Sequence, residues 1–98
     1  MSKLYNMLGL AMRARKVVSG EEQVLSAVRS KTACLVLISN DAAPNAKKKL
    51  SDKCAHYHIP WVEVGSRSDL GRAIGKAERV TVAVTEPGFA DAIKKWCE

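Results

Sequence analysis

Ala33-Cys34-Leu35-Val36-Leu37-Ile38 is an unbroken apolar run of strand length. A strand without polar alternation suits the centre of a sheet that is covered on both faces. Downstream, Asn40-Asp41-Ala42-Ala43-Pro44 reads as a turn into a helix, with Pro44 near the first helical position. Ala46, Leu50, Cys54 and Tyr57 supply that helix with an inward face, and Lys47, Lys48, Lys49 and Lys53 with a solvent face. Trp61-Val62-Glu63-Val64 is a further strand. Ser66-Arg67-Ser68-Asp69 is a capping box that opens a short helix ending near Gly75. Val80-Thr81-Val82-Ala83-Val84 is the last strand, and Pro87 starts a terminal helix carrying Phe89, Ile93 and Trp96.

Upstream of the central run the same alternation holds. Leu4, Leu8, Ala11 and Met12 recur at spacings of three and four, predicting a helix over 3–14. Arg13, Arg15 and Lys16 at its end complement the helix dipole. Val17-Val18 is a short strand. Ser19-Gly20-Glu21-Glu22 has the form of a second capping box, with Ser19 as N-cap, and the helix it opens buries Val24, Ala27 and Val28. Helices and strands in this order predict an α/β fold, a three-layer α/β/α domain spanning residues 1–98.

Composition narrows the function classes. Apolar residues make up 47% of the 98 and charged residues 27%, which argues against both a disordered chain and a membrane protein. No apolar run approaches the roughly 20 residues of a bilayer span, and the first residues lack signal-peptide character, so a cytoplasmic location is expected. Cys34, Cys54 and Cys97 form no CxxC pair, so reduced, mostly buried thiols are expected rather than a zinc site or a disulfide framework. Net charge is +6, and its distribution is uneven. Residues 1–31 carry six basic and two acidic side chains, whereas residues 61–98 carry six of each. A positive surplus placed in this way suits a polyanionic partner.

Catalytic signatures are missing. Gly71-Arg72-Ala73-Ile74-Gly75-Lys76-Ala77 has one residue too few between its glycines for a phosphate-binding loop, and no Ser or Thr follows the lysine to hold magnesium. His56 and His58 form a His-x-His pair beside Tyr57, for which a structural role is the better account. No dinucleotide fingerprint follows any strand. Neither enzyme activity, a cofactor nor a metal is expected.

Ser19–Gln23 is the segment with binding character. A helix N-terminus offers unpaired amides and a partial positive charge that grip phosphates or base-edge acceptors. Gly20 permits close approach of another backbone, Gln23 both donates and accepts, and Glu21 or Glu22 can accept from base amino groups. Arg13, Arg15 and Lys16 would add phosphate attraction. The bland alternative is a helix merely capped by Ser19 and Glu22, and these residues alone leave the two evenly matched. The lysines of 47–53 form a ridge that is either a solvated helix face or a phosphate contact. Trp61 and Trp96 are expected in the core, which disfavours a single-strand binder built on stacking.

Cys54-x4-Ile59-Pro60-Trp61-x2-Val64-x-Ser66-Arg67-x2-Leu70-Gly71 resembles the signature of the kink-turn-binding ribosomal proteins, the L-seven-Ae and L-thirty-e group. Leu8-Gly9-Leu10-Ala11-Met12-Arg13-Ala14-Arg15-Lys16-Val17-Val18-Ser19-Gly20-Glu21-Glu22 resembles its bacterial YlxQ-type branch, and the likeness covers essentially the whole chain. The resemblance implies a mixed four-stranded sheet and recognition of kink-turn RNA, a bent duplex with tandem sheared G·A pairs and an extruded nucleotide. It implies that Gly20, Glu22, Gln23 and Ser26 read the G·A pairs, and Lys16, Ser19 and Glu21 beside them complete the candidate RNA-binding surface. Lys76, Ala77, Glu78, Arg79 and Val80 would cover the extruded base, and Arg67 would meet phosphate. Glu22 stands where the family usually has Asn or Lys, and Ser26 where it usually has Lys; both departures lower the expected phosphate attraction. The implied partner is structured RNA, ribosomal in the first instance, with the ribosomal subunit or assembly factors around it, bound by a protein that is monomeric when free. A protein-docking module of the same fold is the competing expectation.

Overall fold

The computed structural model describes residues 2–97. Its elements run α1 (Ser2–Arg13), β1 (Val17–Ser19), α2 (Glu21–Arg29), β2 (Leu35–Ser39), α3 (Pro44–His56), β3 (Trp61–Val64), α4 (Arg67–Ala73), β4 (Thr81–Val84) and α5 (Pro87–Cys97). The four strands form one mixed sheet in the order β1-β4-β2-β3, with β2 and β3 parallel and the other pairs antiparallel.

The two-residue period of the strands divides the core. Leu35, Leu37, Val82 and Val84 point to one face, where they pack with Leu4, Leu8, Leu70, Ile74 and Ile93 from α1, α4 and α5 and the residue that follows α4. Val36, Ile38 and Ala83 point to the other, against Val24, Val28, Leu50 and Cys54 from α2 and α3. The apolar run therefore lies in a strand with both faces covered, and the layering is α/β/α as expected.

The predicted box at Ser66 forms: the Asp69 amide donates to the Ser66 hydroxyl, and the Ser66 amide donates to the Asp69 carboxylate, at 3.1 and 3.2 Å. Other expectations fail. Trp61 and Trp96 are 39% and 47% exposed rather than core. Trp61 lies on the edge strand, and Trp96 carries Lys3 over its ring, with Nζ 4.5 Å from the centroid. Ala46 and Tyr57 are only half-buried, leaving Leu50 and Cys54 as the buried anchors of α3. Val80 lies just outside β4, although its carbonyl still accepts from the Ser39 amide at 2.8 Å. Among the described residues no helix is long and apolar enough to cross a membrane.

Candidate nucleic-acid interface

Ser19 does not cap α2. It belongs to β1, paired with Val82, and Gly20 occupies the N-cap position at φ 93° and ψ 150° with no side chain capping the helix. That backbone region is essentially restricted to glycine. Sheet pairing claims Ser19 because the β1–β4 ladder runs one step further, with the Gly20 amide donating to the Thr81 carbonyl at 3.1 Å. The result leaves the first amides of α2 without a side-chain cap beside the entry to β4.

The second candidate segment reaches the same place. The Lys76 amide donates to the Gly71 carbonyl at 2.8 Å and the Arg79 amide to the Arg67 carbonyl at 3.0 Å, so residues 76–79 run back along α4. Gly71 makes this possible, since a β-carbon there would collide with the Ala77 carbonyl. Arg79 then turns towards α2. Its Nε donates to the Ser19 hydroxyl at 3.3 Å, and its terminal nitrogen donates to the carbonyls of Glu78 at 2.9 Å and Ala77 at 3.4 Å. All three acceptors are neutral, and none of the four ion pairs among the described residues involves Arg79. Its charge is held in place but not cancelled.

Glu21, Glu22, Gln23 and Ser26 are exposed on α2, and Lys76, Ala77 and Glu78 are exposed on the loop, while Val80 is half-buried. Ser26 sits roughly 9 Å along the axis from Gly20 by helical rise. Arg67 is near the site through its backbone, but its side chain is engaged elsewhere: it donates to the Asp41 carbonyl at 2.6 Å and lies 3.5 Å from the Asp41 carboxylate. Against the desolvation that would raise it, the Arg67 backbone amide and guanidinium hold the Asp41 carboxyl below its ordinary value.

Lys16 directly precedes β1. Its carbonyl accepts from Thr85 at the far end of the β1–β4 ladder, about 10 Å from Ser19 by strand rise. Arg13 lines a groove of about 510 Å³ between α1 and α4 with Leu10, Asp69 and Arg72, which contains none of the candidate segments. Neither a backbone hydrogen bond nor this groove joins Lys16 or Arg13 to the candidate segments.

Sequence reasoning missed Lys49 as a member of this region. Its Nζ lies 3.7 Å from the Glu21 carboxylate, across the α2–α3 contact. No local signal marks it among four lysines of one helix. Lys47 and Lys48 are held by Glu63 and Asp52 at 3.1 and 3.0 Å.

His56 and His58 are exposed, and the His56 ring meets Tyr57 edge-on at 4.8 Å. No group of three His, Cys, Asp or Glu side chains among the described residues is placed to hold a metal ion. No disulfide joins Cys34, Cys54 and Cys97; Cys54 is buried, and desolvation pushes its pKa up to about 11, which suppresses thiolate chemistry.

The model of the ribosomal protein L7Ae/L30e/S12e/Gadd45 family matches residues 2–94. The chain belongs to that family. Within it the chain is of the bacterial YlxQ type: it is 53% identical to the RNA-binding protein YlxQ of Bacillus subtilis over 89 residues, 91% of this chain and 89% of that one. A solved structure from Bacillus halodurans C superposes with a TM-score of 0.93 at 48% identity, covering 97% of this chain and 96% of the other. The Giardia lamblia 15.5kD RNA binding protein superposes with a TM-score of 0.84 at 25% identity, covering 96% and 84%.

Proposed function

We propose that this protein is a non-enzymatic RNA-binding domain that recognises kink-turns in structured RNA, ribosomal RNA foremost, and acts in the cytoplasm as a monomeric ribosome-associated factor. The observation that carries the reading is the junction of the α2 N-terminus with residues 76–80 through the Gly20–Thr81 and Ser19–Arg79 hydrogen bonds. Free amides and the positive end of the helix dipole face base-edge acceptors, while Arg79 beside them meets phosphate. RNA is read where it is distorted, because the narrow A-form major groove excludes side chains. A pre-assembled, two-sided surface suits a bent element with sheared pairs and an extruded base. Gly20, Gln23 and Ser26 read the pairs, with Glu22 accepting from base amino groups. Val80 packs on the extruded base, and Arg67 reaches phosphate by exchanging its hold on Asp41. Lys16, about 10 Å from Ser19 by strand rise, adds phosphate attraction at the margin. The family membership and the RNA-binding relatives support the same reading.

Titration of the protein with a kink-turn RNA and with a control whose G·A pairs are replaced by Watson–Crick pairs tests this directly. A steep loss of affinity for the control is expected; equal binding would reduce the interaction to general polyanion attraction. Docking on protein is the second reading, favoured by the acidic Glu21 and Glu22 at the mouth of the site. It predicts a complex that survives nuclease and ignores Arg79→Glu.

A further inference from the structure

Four lysines stand on α3, and the structure separates them by partner. Lys47 and Lys48 pair with Glu63 and Asp52 at hydrogen-bond distance, 3.1 and 3.0 Å. Lys49 reaches across to Glu21 at 3.7 Å, beyond hydrogen-bond distance, with the two side chains 56% and 43% exposed. An exposed ion pair of that length, without a hydrogen bond, is weak and readily exchanged. Lys53 has no carboxylate within ion-pair distance among the described residues. Lys49, Lys53 and His56 follow one another at i, i+4 and i+7, so they share one stripe of the helix, and with Asp52 they line a shallow depression of about 440 Å³.

We infer that the Lys49–Lys53 stripe of α3 is a second phosphate-binding surface for an RNA stem leaving the α2 site, and that Glu21 masks Lys49 until RNA displaces it. The inference rests on the proposed kink-turn reading. Its physical basis is proximity: a polyanion seated on the N-terminus of α2 passes a cation already held against the first residue of that helix. Phosphate is the stronger competitor for Lys49, because a duplex presents a line of negative charges and releases its counterions when they are neutralised. Lys53, one turn on, continues that line. Glu21 thus opposes binding until its partner changes, instead of reading a base edge.

The test uses a kink-turn RNA with a long stem and the same RNA with that stem cut to its minimum, titrated over a series of salt concentrations. For the long-stem RNA, Lys49→Gln combined with Lys53→Gln should reduce the slope of log affinity against log salt by roughly 0.7–0.9 per phosphate lost. The trimmed RNA should lose clearly less. Glu21→Gln should tighten binding of the long-stem RNA severalfold. The idea is overturned if the lysine variants bind both RNAs as the wild type does, as they would were this face a protein-docking surface, or if Glu21→Gln weakens binding. Failure of the parent reading looks different: the wild type itself would not distinguish the kink-turn from its straightened control.

Discussion

The Nε of Arg79 donates to the hydroxyl oxygen of Ser19 across 3.3 Å, joining residues 60 positions apart. The bond orients a guanidinium whose other partners are carbonyls of its own loop, so the charge stays available to an incoming anion. Arg79→Ala is expected to weaken kink-turn binding and to flatten its salt dependence by about one phosphate. Ser19→Ala should leave that slope intact and weaken binding only modestly, since it removes a neutral tether and not a charge. Because Ser19 is not a helix cap, amide exchange in the first turn of α2 should be unchanged in the free variant. Faster exchange there would restore the capping role.

Gln23 is exposed in the first turn of α2, and among the described residues its side chain makes no hydrogen bond that a substitution would disrupt. Gln23→Ala should therefore leave the melting temperature unmoved while costing ~1–3 kcal/mol of binding if the side chain meets a base edge. Titration calorimetry beside a thermal melt separates the two quantities.

Gly20 isolates backbone strain from steric conflict. Nothing lies within 4 Å of where its β-carbon would stand, yet φ is +93°. Gly20→Ala should destabilise the fold by ~1–3 kcal/mol through conformation alone. For a domain of this size each kcal/mol lowers the melting temperature by roughly 4–8 °C. An unchanged melt would show that the turn relaxes at no cost.

Gly71 tests the opposite case. Its φ is ordinary, but a β-carbon would meet the carbonyl of Ala77, a backbone atom that yields only if residues 76–80 move. Gly71→Ala should cost ~1–3 kcal/mol of stability. Amide chemical shifts should change chiefly over 76–80, and RNA affinity should fall although no contacting side chain has been altered. Unaltered shifts in that loop would refute the packing argument.

Glu86 caps α5 by accepting from the amides of Phe89 at 2.8 Å and Gly88 at 3.0 Å. These bonds hold its carboxyl below the ordinary 4.5, with a smaller contribution from Lys16. The charged carboxylate is favoured in the folded state, so its stabilisation is complete above pH 4.5 and fades as pH falls through the lower folded value. Glu86→Gln should reduce stability at neutral pH, and the gap to the wild type should close on acidification. Denaturant midpoints across an acid series would reveal a constant gap if the charge is irrelevant.

The fold was legible because its signals are short-range. The run at 33–38 announces a strand buried on both sides, and the Ser66–Asp69 box closes within three residues, so neither depends on distant chain. Ser19 reads just as well as a cap, and locally nothing distinguishes it from Ser66. What decides against it is pairing with Val82, which places Ser19 in a strand and passes the cap to Gly20. The tryptophans fail for a related reason: size and apolarity favour burial, but Trp61 falls on an edge strand and Trp96 at the rim of α5.

Alone, the sequence determined the order of elements, the two-faced central strand and the family, because periodicity, caps and motif residues are read over a few neighbouring positions. Only the tertiary structure decided that Arg79 reaches Ser19, that Lys49 reaches Glu21, that Ala77 presses on Gly71 and that Lys16 pairs with Thr85. Each of those follows from how strands pair and helices pack across long stretches of chain, and spacing along the chain does not encode distance in the folded molecule.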